Sequence, residues 1–98
     1  GAAPPLVLWA LAHETRSLAT LCAGRDAGQP LATLFKAERI FDPRRQQTMT
    51  RALGRLGQGN LRAALMHAAR IDRMIKGLAR GDVWDEFLQL ALRLARRS

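Results

Sequence analysis

The sequence predicts an all-α fold, a bundle of five helices. Three observations lead there. Apolar residues recur three and four positions apart along most of the chain. No stretch alternates with period two over a useful length, and Val and Ile together number only five. Finally, Pro, Asp and Gly stand where helices should start and stop.

A first helix is expected from Pro5 to Ala23. Proline in the opening turn loses nothing, because that amide has no partner inside the helix, and Gly24 reads as the stop. Val7, Leu8, Leu11, Leu18 and Cys22 form its main apolar face, while Leu6, Trp9, His13 and Arg16 lie on the other side. A helix that is apolar nearly all round is either central or covered by a partner. The run Gly24 to Gly28 is turn chemistry. A short helix opened by Pro30 follows, with Leu31, Leu34, Phe35 and Glu38 on one side and Ile40 and Phe41 continuing the apolar run.

Asp42-Pro43 pairs an N-cap acceptor with Pro at the first helical position, starting a third helix that reaches about Gly57. Met49, Ala52, Leu53 and Leu56 should face inward, and Arg44, Arg51 and Arg55 should face water. The tight turn Gly57-Gln58-Gly59-Asn60 predicts that the third and fourth helices are antiparallel neighbours, with Asn60 capping the fourth. Gly59 to Gly81 carries the longest helical period in the chain and reads as the element around which the others are arranged. Its apolar arc is Leu61, Ala64, Leu65, Ala68, Ile71, Ile75, Leu78 and Ala79. Asp72 falls inside that arc and therefore requires a partner; Lys76, four residues on, is the nearest. The last helix is capped by Asp82 and runs to about Arg96, with Asp85 and Glu86 near its start and Arg93, Arg96 and Arg97 near its end, as the helix dipole prefers. Val83, Trp84, Phe87, Leu88, Leu90, Ala91, Leu92, Leu94 and Ala95 cover more of its circumference than one core requires.

Ninety-eight residues make one small domain that buries roughly 60–65% of its unfolded surface. Because the chain opens Gly-Ala-Ala-Pro-Pro, residues 1–4 are expected to be a linker or cloning remnant and 5–98 a single helical domain. No stretch approaches the ~18–20 apolar residues of a membrane span, so no membrane contact is expected. The one cysteine, Cys22, sits at an apolar position and reads as a small core residue suited to a reducing cytoplasm.

Catalytic and ligand-binding chemistry finds no support. His13-Glu14 resembles the start of a zinc-protease helix, but Ser17 stands where the second His is needed. His67 has no ligand at metal spacing and reads as a surface or boundary residue. Gly54, Gly57 and Gly59 lack the following Lys-Ser/Thr of a phosphate loop. No catalytic, metal or cofactor site is predicted, and no small-molecule substrate. Sixteen basic against eight acidic residues give a net charge of +8, which permits attraction to nucleic acid or to an acidic protein surface. Arg62, Arg70 and Arg73 share one face of the fourth helix and are the candidate phosphate contacts of an alternative reading, a small helical nucleic-acid-binding domain. The third and fourth helices pass for a helix-turn-helix, yet Leu61, Arg62, Ala63 and Ala64 offer few side chains able to read bases where that motif reads them.

The run ALMHAARIDRMIKG, followed by VWDEFLQLALRLA, resembles the C-terminal helical domain of the delta subunit of the bacterial DNA polymerase III clamp loader. That family tends to carry an Asp, a Lys four residues on, and then a last helix with an acid before a leucine-rich run. Asp72, Lys76 and Gly77, then Glu86, Leu88, Leu90, Leu92 and Leu94, match in order. Upstream, LVLWALAHETRSLATL is similar to the family's opening helix and PLATLFKAERIFDPRRQQ to its short second helix and basic connection, so nearly the whole chain is covered. At His13 the family often has Arg.

The resemblance implies a five-helix bundle of the clamp-loader collar type, the C-terminal oligomerisation domain of a larger cytoplasmic protein. Its partners would be other clamp-loader subunits, met through their own collar domains, with DNA and the sliding clamp reached only through the assembled complex. The domain would not be an enzyme by itself, although the parent holoenzyme would be a DNA-directed DNA polymerase. The apolar surplus on the first and last helices suits a ring-forming contact. Leu6, Trp9, His13, Arg16 and Leu92 are the candidate interface residues, and Asp72 with Lys76 the candidate structural ion pair.

Overall fold

In the computed structural model, which describes residues 3–95, five helices follow one another: α1 (Pro4–Asp26), α2 (Leu31–Ala37), α3 (Pro43–Arg55), α4 (Gln58–Ile75) and α5 (Val83–Ala95). No strand occurs among the described residues. The molecule is elongated, 41 × 25 × 20 Å. Its long axis is close to the ~34 Å that 23 helical residues span at 1.5 Å each.

α1 is the hub. It packs against each of the other four helices, whereas α4 runs mainly along α1 and α5. The sequence singled out α4 as the centre because its apolar period is cleanest; α1 shows no clean stripe because its sides face different neighbours. Two apolar cores lie along it. Toward its C-terminal end, Leu18, Leu21 and Cys22 meet Leu34, Phe35 and Ile40, then Met49, Leu53 and Leu61. Toward its N-terminal end, Leu8 and Ala12 meet Ala64, Ala68 and Ile71 of α4 and Phe87 and Leu90 of α5. Leu94 packs against both cores. Thr15, on the α1 turn between them, is fully buried and donates its hydroxyl to the carbonyl of Leu11 at 2.6 Å, so its polarity is satisfied locally.

Several boundaries differ from the sequence reading. α1 begins one residue earlier than Pro5 and continues past Ala23 to Asp26, taking Gly24 into the helix. A Cβ at Gly24 would lie 2.5 and 2.8 Å from the two terminal methyls of Leu34, so this glycine is there to let α2 approach. The actual stop is Gly28, at φ +89. α4 ends at Ile75 rather than near Gly81; Gly77 turns the chain at φ +76, and Leu78 is exposed instead of lying on the core arc. Met74 takes the inward position there, its methyl 2.5 Å from where a Cβ on Gly81 would stand.

α3 and α4 are not the antiparallel neighbours expected from their short connection. Leu56 and Gly57 are both extended, and the two helices separate to pack mainly on other elements. Asn60 does not cap α4 from outside. It lies within the first turn, and its Oδ1 accepts from the Gly57 amide at 3.0 Å. Asp42 and Asp82 do cap: Asp42 accepts from the Arg44 amide at 3.1 Å, and Asp82 from those of Trp84 and Asp85 at 3.0 and 3.3 Å. Arg55, expected in water, is half-buried and donates to the carbonyl of Leu94 at 3.3 Å. Arg25 similarly ties α1 to α3 by donating to the Leu53 carbonyl at 2.6 Å. The expected end of the last helix at Arg96, and Arg97 beyond it, lie outside the described residues.

Candidate partner interface

Apolar residues scattered singly over a surface are ordinary; here they form ordered rows. On α1, Leu6 and Trp9 are 60% and 61% exposed. Trp9 stacks on His13, one turn later, with ring centroids 5.1 Å apart and planes 8° from parallel. Arg16, the next residue at helical spacing, is exposed as well. Trp9 and Arg16 line a groove of about 450 Å³ between α1 and α4, with Pro5, Leu8, Leu65 and Asp72. On α5, Trp84, Leu88 and Leu92 are 55%, 58% and 53% exposed at four-residue intervals, and Trp84 meets Phe87 edge-on at 5.4 Å. No α5 residue lines the α1–α4 groove. The structure therefore brings Trp9 and Arg16 together and leaves Leu92 on a different row.

Asp72 was expected inside the apolar arc. Its side chain is instead 43% exposed at the groove margin, where its Oδ2 accepts from Lys76 Nζ at 2.8 Å. With Lys76 itself 62% exposed, a pair of this kind contributes only ~0.3–0.5 kcal/mol. The desolvation cost that made Asp72 conspicuous in the sequence is largely absent.

The polar group that is buried went unrecognised. His67, read from the sequence as a surface or boundary residue, is buried, and so is Glu86 of α5. His67 Nδ1 accepts from Arg93 Nε at 3.1 Å, which leaves the ring proton on Nε2, 3.6 Å from a Glu86 carboxylate oxygen. Arg70 approaches the same oxygen at 3.5 Å from the solvent side. The cluster thus joins α4 to α5 by charge and hydrogen bonding beside their apolar contact. A signal for it exists in the chain. His67 is three residues from Ala64 and four from Ile71, and Glu86 is four before Leu90, so each belongs to the turns that bear the core.

Of the three arginines proposed for phosphate, the structure separates one. Arg70 and Arg73 line a hollow between α4 and α5, together with Arg93, whereas Arg62 lines another with Ala19, Gln58 and Leu65. At the end of the apolar run that follows α2, Ile40 is buried and Phe41 is 66% exposed.

Two groups at the other end of α1 have shifted acidities. The Cys22 thiol is pushed up, first by burial and then by the neighbouring Asp26 carboxylate. Asp26 is pulled below the ordinary carboxylate range, chiefly because Gln58 donates to its Oδ2 at 2.8 Å. That bond clips the end of α1 to the start of α4. Among the described residues no three His, Cys, Asp or Glu side chains gather to hold a metal ion, and no helix is long and apolar enough to cross a membrane.

A family model described as processivity clamp loader gamma complex DNA pol III C-term matches residues 1–98. Neither the curated proteins nor the solved structures contain a match to the chain.

Proposed function

The chain belongs to the C-terminal family of the processivity clamp loader gamma complex of DNA polymerase III, and on that premise we propose that it is the collar domain of the delta subunit. A domain of this family is non-catalytic and interacts with other subunits of the clamp loader complex. The finer reading is that those contacts are made collar to collar, that the sliding clamp is reached only through the assembled complex, and that the parent is part of a cytoplasmic DNA-directed DNA polymerase.

One observation carries the assembly role: the apolar rows Leu6–Trp9 on α1 and Trp84–Leu88–Leu92 on α5 both stand open, and no residue of the second lines the groove beside the first. A subunit inside a ring has two different neighbours, and its contacts are heterologous, so it requires two unlike surfaces. Each row supplies an aromatic anchor next to aliphatic side chains, the composition of an interface centre. His13, Arg16 and the Asp72–Lys76 pair border the first row and would set register and partner choice.

The experiment compares the chain with Trp9→Glu and Leu88→Glu variants, each mixed with the other clamp-loader subunits and weighed by light scattering after gel filtration. Each variant should lose one contact and form a smaller complex while keeping the helical circular-dichroism signal of the parent. Full-sized complexes from both variants would defeat the reading.

A further inference from the structure

The hollow between α4 and α5 has a composition that assembly does not require. It occupies about 380 Å³, and three guanidinium groups, those of Arg70, Arg73 and Arg93, surround it against the single carboxylate of Glu86. Two of the three are held from beneath. Arg93 spends its Nε on buried His67, and Arg70 leans on buried Glu86. Each anchoring contact occupies one edge of a planar fork and leaves the remaining N–H groups free to face outward. Arg73 has no acidic partner among the described residues. Guanidinium groups fixed in this way lose little side-chain freedom on binding and present paired donors matched to the oxygens of a phosphate.

We propose that this α4–α5 hollow binds phosphates of a nucleic-acid backbone. The charge of the whole chain, +8, attracts such a polyanion at long range. A protein partner fits the hollow poorly. The centre of a protein interface needs apolar anchors, and besides the small Ala63 only Met66 supplies apolar surface here. The apolar rows that suit a protein lie elsewhere, on α1 and α5. Contacts to the phosphate backbone carry no sequence information of their own, so binding through this hollow should show little sequence preference.

The test uses the 98-residue chain, a fluorescent oligonucleotide in single-stranded and duplex form, and a salt titration followed by anisotropy. Arg73→Gln is the informative variant because Arg73 braces no buried group. Arg62→Gln, which removes the same charge from a different hollow, is the control. Arg73→Gln should weaken binding and reduce the slope of log affinity against log salt by about 1, with Arg62→Gln leaving the slope in place. In parallel, the Nε–Hε signals of Arg70, Arg73 and Arg93 should shift on adding the oligonucleotide. Equal losses from the two variants would overturn the proposal in favour of undirected net charge. Shifts with inorganic phosphate but none with the oligonucleotide would overturn the backbone reading. Binding of polyglutamate as tight as that of the oligonucleotide would overturn the phosphate reading.

Discussion

Gly24→Ala isolates the contact that seats α2 on α1. In the interior of a helix this substitution ordinarily stabilises by about 0.8–1.0 kcal/mol, because alanine loses less backbone freedom on folding. Here the added Cβ would meet both terminal methyls of Leu34, at 2.5 and 2.8 Å, and Leu34 is buried in the core with Phe35 and Met49. Displacing a side chain inside a filled core costs about 1–3 kcal/mol, so the net effect is a destabilisation of up to about 2 kcal/mol. Gly54, in the last turn of α3, has nothing within 4 Å of the place a Cβ would take, and there Ala should stabilise by up to about 1 kcal/mol. In a domain of this size 1 kcal/mol moves the melting temperature by about 4–8 °C. Thermal unfolding followed at 222 nm should therefore place Gly24→Ala below the parent and Gly54→Ala above it. In a Leu34→Ala background the methyls are gone, and Gly24→Ala should become stabilising. If both glycine variants melt above the parent by similar amounts, or the Leu34 background leaves the sign unchanged, the close approach of the two helices is wrong.

Glu86→Ala should cost about 0.5–3 kcal/mol in urea unfolding, because it removes a buried side chain that lies against His67 and leaves Arg70 without its carboxylate. The acid limb of stability should depend on Asp26. A carboxylate whose pKa is lowered in the folded state contributes fully above its unfolded value of about 3.9, and that contribution disappears as pH falls through the lower folded value. Asp26→Asn should therefore flatten the fall in stability below about pH 4. Cys22 is fully buried with a raised thiol pKa, so under native conditions at about pH 8 a thiol reagent should modify it only at the rate of opening, and in denaturant at once.

The helix count, the order of the helices and the caps at Asp42 and Asp82 were legible because each depends on neighbours in the sequence. The hub was not. α1 meets four helices on several sides, so its apolar residues form no single stripe, and a search for the cleanest period selects α4 instead. Gly24 misled for a related reason: a glycine that ends a helix and one that admits a neighbour look alike until the neighbour is placed. The exposed rows on α1 and α5 were foreshadowed by an apolar arc wider than one core can cover. The His67–Glu86 cluster was missed because its members lie 19 residues apart on different helices, and only their side-by-side arrangement makes them partners.

If the domain is built for assembly, the apolar rows of α1 and α5 become covered when it meets the other clamp-loader subunits. The chain has two tryptophans, Trp9 and Trp84, one in each row. Labelled with 5-fluorotryptophan, they report on both rows by fluorine NMR while the partners' own tryptophans stay silent. On mixing with the other clamp-loader subunits, both resonances should shift and lose their sensitivity to exchange of H2O for D2O. A complex of full mass in which both signals keep the positions and solvent sensitivity of the free chain would contradict the account.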